Sequence, residues 1–274
     1  MALRLKTVAA PQGIQWVRAG FRLFARRPMA FSTLLLAFFF ASLMVSVLLP
    51  LVGSVVSLMA LPLLTMGYMI ATRSALGGGL VHPGQLIEPL RTPGPQRKRL
   101  LQLCALYGGL TLLVLLGADL VMGDAGERLR QVFTGEEVTP EEAGAIADDP
   151  RLLQGLALQA ALITLLSVPF WHAPALVVWG DQGVAQALFS STLAVWRCRG
   201  AFALYGLVWA GLVLGLGTLA ALLFSLIGLP QMAPVAAVPI ALMCMTVFYV
   251  TLYFTFVDSF ETEAPRLTEG PAGP

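Results

Sequence analysis

Charge is what this sequence has least of. Only 12% of its 274 residues are Asp, Glu, Lys or Arg, about half the share in a soluble globular protein. The deficit is concentrated. From Pro28 to Thr72 there is no Asp, Glu, Lys, Arg or His. Histidine is almost missing too. His82 and His172 are the two in the chain, which excludes an all-imidazole metal site, and no metal or cofactor is expected. The three cysteines, Cys104, Cys198 and Cys244, are scattered without ligand spacing. They read as small apolar fillers rather than as disulfide or metal partners. The motifs of catalysis are absent as well. There is no H-E-x-x-H, G-x-S-x-G, P-loop or C-x-x-C. Gly77-Gly78-Gly79 has neither the Lys-Ser/Thr pair nor the strand that a phosphate loop needs, so it reads as a loop. No catalytic residue is nominated, and the chain reads as a non-enzyme.

What is present is apolar length. Apolar types make up 57% of the chain, and about 20 of them in a helix cross a hydrocarbon core of about 30 Å. Six runs qualify: Met29 to Leu49, Leu51 to Thr72, Leu100 to Val121, Leu152 to Trp179, Ala201 to Gly228 and Pro234 to Val257. Pro50 and Gly53 divide the first two. None sustains the strict alternation of a transmembrane β-strand, which argues against a barrel. The first run is longer than the apolar part of a signal peptide and has no convincing A-x-A site after it, so it is expected to stay as an anchor. The expected fold is all-α: a polytopic membrane protein of six transmembrane helices arranged as three hairpins with interfacial amphipathic helices. Residues 1–260 are expected to form one membrane domain, and 261–274, rich in Pro and Gly, a disordered cytoplasmic tail.

Charge sign sets the expected orientation. Arg4, Lys6, Arg18, Arg22, Arg26 and Arg27 precede the first run without an acid. Arg73, Arg91, Arg97, Lys98 and Arg99 lie between the second and third, and Arg197 and Arg199 between the fourth and fifth. The Met122 to Arg151 loop is acidic, with Glu136, Glu137, Glu141 and Glu142 flanking Thr139-Pro140, which reads as the start of a short solvated helix. Basic residues gather on the cytoplasmic side. Both termini are therefore expected there, and the acidic loop outside. The same rule accounts for the basic clusters, so no nucleic-acid role is inferred.

Each pair of runs is preceded by a basic lead-in. In the first, Ile14, Val17, Phe21 and Phe24 recur at helical spacing, and Arg18, Arg22 and Arg26 recur on another face. That describes an amphipathic helix suited to the headgroup region, with Trp16 as an interface anchor and Pro28 ending it. Ala185, Phe189, Leu193 and Trp196 give the third lead-in a similar stripe, closed by Arg197 and Arg199. In the middle lead-in, Pro83, Pro89, Pro93 and Pro95 exclude a long helix. The pattern fits either a triplication or the orientation rule acting alone.

Few polar groups lie inside the runs. His172 sits between Pro169 and Pro174 in Val168-Pro169-Phe170-Trp171-His172-Ala173-Pro174. A break there could open backbone carbonyls to a pathway, or it could be a kink whose imidazole satisfies local backbone. Pro169, Trp171, His172 and Pro174 are the candidates on either reading. Pro62 and Pro239 mark similar kinks in the second and sixth runs, and Asp119 lies near the outer end of the third. Gly211 and Gly215 form a GxxxG pair, expected to allow close helix approach, more readily inside the subunit than between subunits.

The stretch Trp16-Val17-Arg18-Ala19-Gly20-Phe21-Arg22-Leu23-Phe24 has a recognisable look. So do Phe170-Trp171-His172-Ala173-Pro174-Ala175-Leu176-Val177, Ala187-Leu188-Phe189-Ser190 and Ala201-Phe202-Ala203-Leu204-Tyr205-Gly206-Leu207. Together they resemble a family of bacterial inner-membrane proteins with six predicted spans, often labelled BPSS-type. More distantly they are similar to YciC-like families and to the membrane domain attached to some glycerophosphodiester phosphodiesterases. The resemblance implies an inner-membrane location and carries over no catalytic residue. The expected partners are membrane lipids, with a protein partner or a homo-oligomer left open. Arg18, Arg22, Arg26, Arg27, Arg197 and Arg199 are nominated for headgroup contact. The alternative is a transporter or channel for a lipid or small amphiphile, with its pathway near Pro169 to Pro174.

Overall fold

The computed structural model describes residues 3–50, 52–91, 94–134, 144–146, 148–229 and 232–262. The acidic segment around Thr139-Pro140 and the tail from residue 263 lie outside them. The described residues are almost entirely helical. Helix α1 (Gln12–Arg26) stops at Arg27, because Pro28 has no N–H to continue it. The same proline opens α2 (Pro28–Leu48), where a first-turn N–H would be unpaired in any case. Helices α3 (Gly53–Met59) and α4 (Leu61–Leu76) follow, bent by 43° at Ala60. After a 3₁₀ turn (Pro83–Leu86) and the short α5 (Glu88–Arg91) come α6 (Pro95–Met122) and α7 (Asp124–Thr134). Then follow α8 (Pro150–Phe170), α9 (Ala173–Val178), α10 (Val184–Arg197), α11 (Arg199–Leu226) and α12 (Ala233–Ser259).

Among the described residues, five helical stretches are long and apolar enough to cross a membrane, or six if the bent α3–α4 pair is one span. Their outward faces carry Leu36, Phe40, Leu43, Leu113, Leu165, Leu207 and Leu214, all exposed. Large apolar side chains on that scale belong in lipid, not water. The architecture is that of an all-α polytopic membrane protein.

The three hairpins pack in a cycle. The lead-in α1 lies across α11 and α12, the third hairpin. The 3₁₀ turn and α5 lie on α4, and the turn also on α2, the first hairpin. Helix α10 lies on α8, α9 and α6, the second hairpin. Each lead-in thus covers the hairpin before its own, which is the arrangement a triplicated unit would give. The returning strokes α4, α9 and α12 form the middle. Tyr68 of α4 stacks on Tyr249 of α12 at 5.2 Å and donates its hydroxyl to the Phe31 carbonyl of α2 at 2.8 Å.

Lipid tails are as apolar as leucine, so burial against lipid supplies little driving force, and close van der Waals packing must hold the helices together. Glycines provide it. A Cβ on Gly13 would collide with the Ala201 carbonyl of α11, and one on Gly20 with Thr251 of α12. Gly108 of α6 admits Met59, and Gly155 of α8 admits Met122. The expected pair, Gly211 and Gly215, does none of this. Nothing lies within 4 Å of a Cβ at either position, and both face outward. The close approaches inside the subunit fall elsewhere because α11 touches its neighbours mainly near its first half, through Ala201, Tyr205 and Trp209.

A two-stranded antiparallel ladder joins β1 (Leu3–Leu5) to β2 (Phe260–Thr262), pairing Arg4 with Glu261 and Leu5 with Phe260. The Lys6 N–H donates to the Ser259 carbonyl at 3.0 Å, and Lys6 pairs with Glu261 at 3.1 Å. The two ends of the membrane unit therefore sit together. Glu261 and Thr262, expected in the tail, belong to this ladder. All three cysteines are free and buried, as small fillers would be.

Candidate functional site

The break in the fourth span is built from its prolines upward. Pro169 and Pro174 each remove one backbone donor, and α8 ends at Phe170 before α9 restarts at Ala173. In an unbroken helix His172 N–H would bond the Val168 carbonyl directly. Instead the hydroxyl of Ser191, from α10, stands between them. It accepts from His172 N–H at 3.0 Å and donates to the Val168 carbonyl at 3.0 Å. A side-chain hydroxyl inserted into the ladder is a recognised cause of a kink, and here it leaves neither backbone group unpaired.

The His172 ring is fully buried. Phe202, Phe256 and Phe260 surround it edge-on, with centroids at 5.8, 5.9 and 5.3 Å. Nε2 lies 3.3 Å from Thr255 Oγ1, which gives its own proton to the Leu252 carbonyl at 2.8 Å. Nε2 is therefore the protonated nitrogen. Nδ1 has no hydrogen-bond partner among the described residues. Trp171 packs on Phe202, Tyr205 and Phe248, and donates Nε1–H to the same Thr255 Oγ1 at 3.2 Å.

A cavity of about 120 Å³ lies beside Trp171, lined also by Pro62, Thr65, Tyr107, Ser167 and Tyr249. It lies next to both discontinuities, the α3–α4 bend and the α8–α9 break. His172 does not line it.

The nominated arginines fall into two groups. Arg18, Arg22 and Arg26 stand exposed on α1. Arg18 and Arg22 edge an apolar groove of about 640 Å³ between α1 and α11, walled by Ile14, Val17, Phe21, Val208 and Leu212. Arg27 is used differently, donating to the Gly79 carbonyl after α4. Arg197, the last residue of α10, and Arg199, the first of α11, are exposed, and the Arg199 guanidinium sits 5.7 Å over the Trp196 ring of α10. Trp196 and Phe189 are 67% and 69% exposed on α10, while Ala187, Ser191 and Ala194 face the protein.

The two lead-ins therefore differ. Helix α10 packs through its small residues and leaves its aromatic stripe open. Helix α1 buries Gly13, Trp16, Val17, Gly20 and Leu23; of the expected stripe Val17 is buried, while Ile14, Phe21 and Phe24 are half-buried beside the residues that precede them. Trp16, expected as an interface anchor, is buried and donates to Asp258 Oδ2 at 2.7 Å. Gln12 Nε2 donates to the same oxygen at 2.7 Å. Sequence reasoning passed over Asp258, although an acid directly after an apolar run is visible. The spacing of Gly13 and Gly20 was the other available signal.

Asp119, at the far end of α6, accepts from Arg130 of α7 at 2.8 Å, and Arg130 also holds Glu127 at 2.6 Å. Among the described residues no three His, Cys, Asp or Glu side chains gather where a metal could bind.

Compared with known proteins, the chain is similar to a protein of Burkholderia thailandensis named "Probable inner membrane protein". The two are 32% identical over 272 residues, which is 98% of each chain. No family model matches the chain, and no solved structure matches it.

Proposed function

The chain belongs to the inner-membrane protein family of that Burkholderia thailandensis relative, and from this premise we propose a non-enzymatic role exercised through contacts with anionic membrane lipids. The multi-pass inner-membrane location comes with the family and the fold. The finer kinship with YciC-like families and with the phosphodiesterase-linked membrane domain is part of the proposal.

The observation that carries the reading is the outer face of α10 and its junction with α11. Phe189 and Trp196 are exposed beside Arg197 and Arg199. Amphipathic rings settle at the headgroup level, and each nearby arginine adds about 1 kcal/mol of attraction to an anionic leaflet. The groove between α1 and α11 supports it, because its walls suit an acyl chain and its edge carries Arg18 and Arg22. Arg26 extends that edge, and Arg27 braces the α1–α2 corner. None of these arginines has an ion-pair partner among the described residues.

The test is retention of phosphatidylglycerol by the purified full-length protein, read by native mass spectrometry. Replacing Arg197 and Arg199 together by Gln is expected to weaken retention about 30-fold, the equivalent of two such charges. Unchanged retention defeats the reading.

A second reading, passage of a lipid or small amphiphile, is favoured by one observation. The cavity beside Trp171 adjoins two broken spans, and irregular backbone at membrane depth is tolerated where it lines a cavity. On the leading reading, vesicles containing the protein exchange a fluorescent lipid between leaflets no faster than empty ones. Protein-dependent exchange that Trp171→Ala abolishes would reverse the ranking.

A further inference from the structure

A second, separate cavity opens where α4 and α9 end and α6 begins. Its volume is about 670 Å³, within the range that holds one small-molecule ligand. Its lining changes character with depth. Ile70, Val178 and Trp179 make an apolar floor, and Arg73, Glu88 and Gln96 make a polar mouth. Ile70 and Arg73 are three residues apart on α4, so they share a face and the second stands one turn beyond the first.

The charges at the mouth are unspent. Arg73 lies over the Trp179 ring, its guanidinium carbon 5.6 Å from the centroid. Neither Arg73 nor Glu88 has an ion-pair partner among the described residues, and they do not pair with each other. Of the neighbouring cations, Arg91, Arg97 and Lys98 do not line the cavity, and two others are committed elsewhere. Arg99 is held by Asp181 at 2.8 Å, and Arg27 by the Gly79 carbonyl. The mouth thus offers one free cation and one free anion above an apolar floor.

We propose that this cavity binds one zwitterionic phospholipid, with the phosphate on Arg73, the ammonium of an ethanolamine head on Glu88, and the start of an acyl chain along Ile70, Val178 and Trp179. A lipid with an anionic head would satisfy Arg73 but set its remaining polar group against the Glu88 carboxylate with no charge gained. Free phosphoethanolamine would satisfy both charges but leave the apolar floor empty. The site shares no residue with the arginines of α1 and of the α10–α11 junction, so it stands or falls separately from the lipid contacts proposed there.

The test titrates the full-length, delipidated protein in detergent with dioleoyl phosphatidylethanolamine, dioleoyl phosphatidylglycerol and free phosphoethanolamine, with native mass spectrometry as the readout. The ethanolamine lipid is expected to bind about fivefold more tightly than the glycerol lipid, the worth of one partly exposed ion pair. Glu88→Gln is expected to erase that preference. Arg73→Gln is expected to weaken both lipids about equally. Replacing Arg197 and Arg199 by Gln is expected to leave the preference intact. Both side chains at the mouth are exposed, so the single variants are expected to keep the helical circular dichroism of the parent. A preference for the glycerol lipid, or one that survives Glu88→Gln, overturns the proposal. So does displacement of the lipid by equimolar free phosphoethanolamine, which would assign the cavity to a soluble ligand.

Discussion

Ser191 serves two backbone groups with one hydroxyl. Removing it by Ser191→Ala leaves the His172 N–H unpaired and the Val168 carbonyl with only the long 3.5 Å bond from the Trp171 N–H, and a buried unsatisfied group costs about 1–3 kcal/mol. A clear fall in the thermal unfolding midpoint in detergent is expected. Thr192→Ala, on the exposed side of the same helix and bonded only to its own Leu188 carbonyl, is the control and is expected to change little. An equal midpoint for the two variants would mean the break is held by its rings and not by the bridge. Asp258 acts on the same scale. It receives both Gln12 and Trp16, and hydrogen bonds to a charged group are worth about 1.5–3 kcal/mol each. Asp258→Ala is expected to destabilise the protein by about 3 kcal/mol and to expose Trp16, seen as a red shift in the Trp16 emission obtained by subtracting the spectrum of the matching variant that also carries Trp16→Phe. Wild-type stability would show that α1 is held by packing alone.

The lead-ins carry the argument at the scale of elements. Two similar amphipathic patterns end in different uses because each helix buries whatever lets its backbone come closest. On α1 those residues are Gly13 and Gly20, although Phe21 and Phe24 are far more apolar. In a membrane, apolar size brings no advantage over the surrounding lipid, while close approach does. Gly20→Val is therefore expected to cost about 1–3 kcal/mol through overpacking against Thr251 and Val247. Because α1 would lift from α11 and α12, limited trypsinolysis at Arg18 and Arg22 is expected to accelerate. Unchanged cleavage would show that those bonds are already accessible with α1 in place.

For the whole molecule, the ladder between β1 and β2 brings the two ends of the membrane unit together, and with six crossings both ends lie on one side. We propose from the excess of basic residues that this side is the cytoplasm. Fusions at Gln96, Gly183 and Gly270 are expected to be active only for a cytoplasmic reporter, and a fusion at Thr139 only for an extracytoplasmic one. A cytoplasmic signal at Thr139 would invert the orientation, and mixed signals would reduce the number of crossings below six.

The sequence by itself determined that this is a polytopic all-α membrane protein and marked the break between Pro169 and Pro174; Pro239 lies inside the unbroken α12, and the bend in the second run falls at Ala60, just before Pro62. A span is a property of about 20 consecutive residues, so it can be read along one dimension. The basic lead-ins were legible for the same reason. Only the tertiary structure decided what meets each break and each helix face. Ser191 reaches Val168 from 23 positions away, and Asp258 reaches Gln12 from 246. Those partners depend on which hairpin each lead-in covers, and the cyclic arrangement leaves no local trace in the chain. The same holds for the cavity at Arg73, Glu88 and Trp179, three residues that become neighbours because α4, α5 and the end of α9 come together.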